Sequence, residues 1–433
     1  MGVSPCDSDL LSSCDAYFEK VKSRKKLPQP LQETLTTAFA RIPVSSFPQV
    51  PTGKVIEIQA DTTIADAVKI LSDCNILSAP VVNPKAASSL NWRERYLGII
   101  GYSEIILWVL ESAELDAVTL STSTATAVGL GAGAVGALGA LAVGASGPAA
   151  MGAAVAGGVK ADQASGGDAP AAADNLGKEF YKAIVQEEPF KSTAVKSIVK
   201  SYRWAPFIPV ATDSYMLSVL LLLSKYRLRN VAVIEAGKPE IQNYITQSAV
   251  IEDPEGCRGR DWFDCIIARP ISDMGLPFMS PDEDISVQSD DLILEAFKRM
   301  RDNQVGGLAV VEEPGKKIVG NVSIRDNRHL MLKPELFTNF RQLTVKDFIS
   351  TVVSTGQDFG RPTSPVTCKV DSTLGGVIQN LATKKVHRVY VVADENEVIG
   401  VITLRDVISC FIYEPPNFFD NYFGFSVREM LNK

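Results

Sequence analysis

Four stretches of this 433-residue chain carry the same order of apolar and polar positions. They begin at Asp61, Asp213, Asp290 and Asp371 and align without a gap: DTTIADAVKILSDCNILSAPVV, DSYMLSVLLLLSKYRLRNVAVI, DDLILEAFKRMRDNQVGGLAVV and DSTLGGVIQNLATKKVHRVYVV. In each, apolar residues recur at i, i+3, i+4 and i+7. The first copy places Ile64, Ala67, Val68 and Leu71 there, and the second Met216, Val219, Leu220 and Leu223. The third gives Ile293, Ala296, Phe297 and Met300, and the fourth Leu374, Val377, Ile378 and Leu381. This spacing predicts a helix with one buried face. The aspartate that opens each copy is expected to start that helix, its carboxylate accepting unpaired N–H groups. A β-branched run suited to a buried strand closes each copy.

A turn, a second strand and another helix follow. KKIVGNVSIRDNRHLML and NEVIGVITLRDVISCFI show this most clearly, and RYLGIIGYSEIILWVL and PEIQNYITQSAVI more loosely. The unit is therefore strand–helix–strand–strand–helix, an α/β (α+β) class, present four times. The expected divisions are residues 33–112, 191–255, 268–333 and 343–415 for the repeats. A flexible tail at 1–32, a Gly/Ala-rich linker at 113–190 and an aromatic tail at 416–433 account for the rest.

Part of that linker imitates a membrane span. Ala117 to Val159 contains no charged residue. Length alone would suffice to cross ~30 Å of hydrocarbon. Glycine and alanine contribute little transfer free energy, however, and Pro148 interrupts the run, so a low-complexity linker is the better reading. A single crossing would also separate the first repeat from the three it must pack against. No membrane contact is expected.

Composition narrows the classes further. Forty-three basic against fifty acidic residues give a net charge of -7, which argues against a broad nucleic-acid surface but allows a local basic cleft. Seven cysteines without a Cys-x-x-Cys pair read as reduced thiols of an intracellular protein, and two histidines offer little to zinc. A cytoplasmic location is expected. The run KSRKK (Lys22 to Lys26) leaves nuclear entry open, although a solvated basic tail explains it more simply. In the Met-Gly start, Cys6 stands where N-myristoylation wants Ser or Thr.

The strand-to-helix junctions carry the candidate chemistry. The third repeat reads Ser323-Ile324-Arg325-Asp326 and the fourth Thr403-Leu404-Arg405-Asp406. A hydroxyl at the N-cap with an acid three residues later is a capping box. The same groups, with the free N–H groups of a helix start, could also take a ribose diol and a phosphate. His387-Arg388 opens the strand before the fourth junction, and arginine binds phosphate bidentately.

These features resemble cystathionine-beta-synthase (CBS) repeats, whose signature Gly-h-h-[Ser/Thr]-x-x-Asp (h, hydrophobic) stands here as GNVSIRD and GVITLRD. The whole chain resembles the gamma regulatory subunits of the AMP-activated and sucrose-non-fermenting-related protein kinases, the plant gamma-1 type above all. IPVSSFP, YRWAPFIPV, LLLLSKYRLRNVAVI, GLPFMS, VHRVYVV and LRDVISC carry that resemblance, over roughly residues 33 to 425 apart from the Gly/Ala insert. It implies two Bateman modules, each a pair of repeats, in a flat disc with clefts facing its centre. It also implies a non-catalytic subunit that binds AMP, ADP or ATP as regulatory ligand, needs no cofactor, and controls a kinase alpha subunit through a beta subunit.

By position, the resemblance makes Asp326 and Asp406 ribose-binding acids, with Ser323, Thr403 and Thr246 as the junction hydroxyls. It makes His387 and Arg388 a phosphate pair, which the second repeat replaces by Arg229-Asn230. Other departures are Ala249 and Glu104 at the junction acids, Ser248 for a lysine and Thr37 for an arginine. Each lost basic contact forfeits about 1.5–3 kcal/mol of charge-assisted hydrogen bonding. One well-kept cleft, built by the third and fourth repeats, is the expectation. The alternative is a stand-alone nucleotide-sensing adaptor outside any kinase complex. An enzyme is disfavoured, since no P-loop, Gly-x-Ser-x-Gly or His-Glu-x-x-His motif occurs.

Overall fold

The computed structural model describes residues 9–51, 53–106, 108, 193–201, 206–252, 261–279, 286–303, 305–326, 342–354 and 364–419. Two helices, α1 (Asp9–Arg24) and α2 (Gln29–Phe39), lead into the first repeat. That repeat comprises β1 (Ile58–Gln59), α3 (Ile64–Asp73), β2 (Ser78–Val82), the short α4 (Trp92–Arg95) and β3 (Tyr96–Gly101). After α5 (Val195–Ser201) come β4 (Val210–Ala211), α6 (Met216–Ser224), β5 (Asn230–Ile234), β6 (Ile241–Thr246) and α7 (Gln247–Glu252). Helix α8 (Asp261–Ile267) precedes β7 (Ser286–Gln288), α9 (Ile293–Asp302), β8 (Gly307–Glu312) and β9 (Lys317–Ser323). Finally α10 (Val345–Ser354) precedes β10 (Thr367–Cys368), α11 (Leu374–Thr383), β11 (Arg388–Val392), β12 (Val398–Thr403) and α12 (Leu404–Phe411).

Each repeat forms a three-stranded sheet, its first two strands parallel and its last two antiparallel. The registers match: Ser78 pairs with Gly101, Asn230 with Thr246, Gly307 with Ser323 and Arg388 with Thr403. The helical periodicity appears as burial of the named positions in α3 and α11. Helix α6 goes further, with all nine residues buried, as a helix apolar all round should be. The expected aspartate caps are corrected. The N-caps lie two residues later, at Thr63 and Thr373, whose hydroxyls accept from Asp66 N and Gly376 N. Tyr215 occupies the equivalent place without a side-chain cap, and Asp61 instead pairs with Lys196.

Two kinds of contact join the repeats. One core unites the helices of the second and fourth repeats, and another those of the first and third. Smaller clusters join the sheets: Val82, Tyr96 and Ile99 with Phe207, Ala232 and Ile241, and Ala309 and Val311 with Tyr390. Around the molecule the repeats thus follow the order one, two, four, three.

The segment leading into each repeat crosses to its sheet partner. Ile64 N donates to Thr193 O and Val195 N to Thr62 O, so α5 closes on the first repeat. In return Met216 N donates to Ile42 O and Val44 N to Ser214 O. The other pair repeats this with Ile293 N to Leu343 O and Val345 N to Asp291 O, against Leu374 N to Arg269 O and Ile271 N to Ser372 O. Each unit cut from the chain in sequence order therefore carries its partner's leader.

The first 32 residues differ from a flexible tail. Cys14 and Val21 of α1 are buried, and Leu27 and Leu35 join the core of the second and fourth repeats. Within KSRKK, Arg24 Nη1 donates to Phe278 O at 2.6 Å and Lys25 Nζ to Ser409 O and Ile412 O at 3.0 Å, so the run is not simply solvated. At the other end Phe419 is buried, edge-on to Tyr226 at 5.5 Å. Phe418 stands edge-on to Phe419 at 4.8 Å, whereas Tyr422, Phe423, Phe425 and the Gly/Ala-rich stretch of the linker lie outside the described residues. Among the described residues no helix is long and apolar enough to cross a membrane.

Leader exchange has a measurable consequence at Phe348, on α10. Its ring is 1% exposed and meets Phe297 of the third repeat edge-on at 6.0 Å. Phe348→Ala is expected to cost about 3–5 kcal/mol in urea unfolding. Native-state hydrogen exchange should quicken in α9 and β8 more than in β11 and β12, although Phe348 lies in the leader of the fourth repeat.

Candidate functional site

The four strand starts and four junctions converge on one cavity of about 1440 Å³. Ser78 and Glu104 reach it from the first repeat, Arg229 and Thr246 from the second, Gly306 and Arg325 from the third, and His387 and Thr403 from the fourth. Seven lysine and arginine side chains and His387 line it, against four carboxylates. In a chain of net charge -7 this is a local reversal of sign, suited to an anion. Its volume exceeds the 300–1,000 Å³ typical of small-molecule sites.

Arg388 opens β11 at the place that Gly307 holds in β8. A Cβ built on Gly307 would lie 1.4 Å from Arg388 Nη1 and 2.7 Å from Val322 O, so the glycine is what admits the guanidinium. Arg388 Nη1 donates to Asn321 Oδ1 at 3.4 Å, and among the described residues Arg388 pairs with no carboxylate. The Tyr390 hydroxyl also donates to Asn321 Oδ1. Burial chiefly raises this phenol, to about 12, with Arg388 opposing and Asp326 reinforcing the shift. The arginine of the fourth repeat and the acid of the third thus act on one spot.

At the third junction Asp326 Oδ2 accepts from Ser323 N at 2.8 Å and Ser323 Oγ at 2.9 Å. The fourth forms a full capping box. Thr403 N and Oγ1 donate to Asp406 Oδ2 at 2.8 and 2.7 Å, and Asp406 N donates back to Thr403 Oγ1 at 3.3 Å. Asp406 is 6% exposed, and its second oxygen is engaged as well: Tyr17 of α1 donates to Oδ1 at 2.7 Å. At the second junction Thr246 Oγ1 still caps Ala249 N, at 3.0 Å, but no acid follows.

The remaining predicted residues separate. His387 Nε2 lies 2.9 Å from Ser248 Oγ of the second repeat. Arg229 Nη1 donates to Ser103 Oγ at 2.7 Å and lies 4.0 Å from Glu104. Ser248 of the second repeat therefore holds the histidine, and Ser103 holds the arginine at the same offset of the first junction. Asn230, where Arg388 stands in the fourth repeat, reaches Ser78 Oγ and accepts from Tyr244 OH. Thr37 is exposed on α2, and neither it nor Ser323 nor Asp326 is among the residues lining the cavity, which the third junction reaches through Ile324 and Arg325. Sequence reasoning missed Ser103, Asn321, Tyr17 and the Gly306-Gly307 pair. Only the glycines left a trace, since they align with His387-Arg388.

The fold and its central cavity define a protein of four CBS repeats. A CBS domain profile matches residues 271–326 and 358–413, the third and fourth of them. The SNF1-related protein kinase regulatory subunit gamma-1-like of Arabidopsis thaliana is 67% identical over 432 residues, 98% of this chain and 97% of its own. The SNF1-related protein kinase regulatory subunit gamma-1 of the same plant is 34% identical over 396 residues, 90% and 86% of the two chains. The chain belongs to this family of SNF1-related protein kinase gamma regulatory subunits. A solved archaeal structure from Methanocaldococcus jannaschii aligns over 84% of this chain and 100% of its own at TM-score 0.49 and 15% identity.

Two outcomes follow from this geometry. Gly307→Ala is expected to expel the Arg388 guanidinium and cost about 1–3 kcal/mol, read from chemical denaturation. Separately, a tyrosine raised in the fold above its unfolded value near 10 contributes stability that is full below pH 10 and lost toward pH 12. Between pH 9 and 11 the wild type should lose about 1 kcal/mol more stability than Tyr390→Phe, measured by urea unfolding at both pH values.

Proposed function

We propose that the chain is the non-catalytic regulatory subunit of a heterotrimeric, energy-sensing Ser/Thr protein kinase. In this reading it binds an adenine nucleotide between its third and fourth repeats and regulates a catalytic alpha subunit together with a beta subunit. The observation that carries the reading is Arg388, seated over Gly307 beside the third junction in a cation-rich cavity. Its guanidinium presents a fork of donors that matches a phosphate, and its hydrogen-bond partners among the described residues, Asn321 and the Tyr390 phenol, are neutral. The ribose falls to Ser323 and Asp326, since an ionised carboxylate accepts both hydroxyls of a diol. His387, oriented by Ser248, adds a second donor toward the phosphate.

The other acids suit a nucleotide less well. Glu104 already faces Arg229, Ala249 offers no acceptor, and Asp406 holds Tyr17. One principal cleft is the consequence. The names of the two plant relatives support the regulatory role.

Calorimetric titration of AMP, ADP and ATP tests the cleft. Arg388→Gln should weaken binding by roughly 10- to 100-fold, the equivalent of one charge-assisted contact, and Arg229→Gln far less. Equal binding by Arg388→Gln and wild type would remove the cleft from this place. Co-expression with alpha and beta subunits tests the assembly. A stoichiometric complex on size-exclusion chromatography is expected, whereas separate elution would favour a stand-alone adaptor.

A further inference from the structure

Tyr17 and Asp406 are 389 positions apart in sequence and meet at 2.7 Å. The capping box already occupies Asp406 Oδ2 with two donors, so the phenol on Oδ1 completes the carboxylate. Tyr17 also lies 3.3 Å from Ser409 Oγ, and its ring sits face-on to Arg405, whose guanidinium carbon is 3.3 Å from the ring centre. Arg405 is fixed in turn by Nε donating to Ser224 O at 2.6 Å. A flat ring stacked on a guanidinium, with a hydroxyl donated to an aspartate, is the pair of contacts a nucleoside would make through its base and ribose.

We propose that Tyr17 is a built-in occupant of the Asp406 cleft and decides whether that cleft accepts a nucleotide. The inference rests on the nucleotide reading above and concerns a different cleft from that of Asp326 and Arg388. Helix α1 is held beside the cleft at several points. Cys14 and Val21 are buried, Arg24 Nη1 donates to Phe278 O, Lys25 Nζ donates to Ser409 O and Ile412 O, and Asp15 lies 3.8 Å from Lys225. A tethered group competes at an effective concentration in the millimolar range, so a nucleotide meets an apparent affinity reduced by the fraction of molecules with α1 displaced. The chain thereby presents one open cleft and one that it fills itself.

The test uses the full chain and ATP. Calorimetry should count one site in the wild type and two in Tyr17→Ala, the added site at least tenfold tighter than any second binding to wild type. Adding Asp406→Asn to Tyr17→Ala should abolish the added site and leave the first. If Tyr17→Ala still binds one ATP, the proposal is overturned while the nucleotide reading stands. If neither protein binds ATP, both fall. Hydrogen exchange on the wild type gives a measure independent of how the variant folds. ATP that just fills the first site should leave the Cys14–Arg24 amides protected, and a large excess should expose them. Amides that stay protected with a second ATP bound would overturn the proposal.

Discussion

A three-stranded sheet with two helices leaves apolar surface on both its sides, and covering both sides governs how this molecule is built. The sheet side of each repeat is covered by the neighbouring sheet, as with Ala309 and Val311 against Tyr390. The helical side is covered by a repeat of the other pair, as where α6 meets α12. A single repeat can satisfy neither requirement, and a pair satisfies only the first, so four repeats close on one another. Reciprocal leaders reinforce the pairs. Each closing hydrogen bond joins backbone groups of different repeats, so separating the partners would strand donors and acceptors in their cores.

The cavity follows from that closure. Because all four sheets share one register, their strand starts and helix starts face the same centre. Function is then decided by the residue placed at each equivalent position. Ser78, Asn230, Gly307 and Arg388 stand at one such position, and only the last is cationic. Gly307 and Arg388 belong together physically, since the absence of a side chain on one sheet makes room for the longest side chain on the other. Asn230 and Ser78 instead meet each other, which fills the corresponding space with a neutral contact.

Much of this was legible in the chain. The four copies, their helix faces, the capping dyads and the singular His387-Arg388 pair all follow from residue type and spacing. The leader exchange was not legible, because it is carried by backbone N–H and C=O groups, which every sequence presents alike. The aspartate caps misled for a related reason: Thr63 and Thr373 compete for the same role two residues on, and the chain turns there. Tyr17 gave no signal at all. It lies in a segment of ordinary amphipathic composition, and its partner stands near the opposite end of the chain.

The two sheet pairs have also diverged in how they treat charge. In the first pair Arg229 donates to Ser103 and approaches Glu104, so its positive charge is answered by the protein, although the side chain is half exposed. An anion arriving there must compete with a carboxylate and gains little. In the second pair Arg388 meets the neutral Asn321 and Tyr390 and no carboxylate among the described residues, and the nearby Asp326 is already tied to its own helix start. On the proposed reading, a phosphate bound there would supply the counter-charge that this cleft lacks among its described residues. At the fourth junction the carboxylate is satisfied from within, by the Tyr17 phenol of α1, whose ring stacks on the Arg405 guanidinium of α12. The three arrangements differ in what meets the charge: a carboxylate at Arg229, neutral partners alone at Arg388, and the chain's own first helix at Asp406.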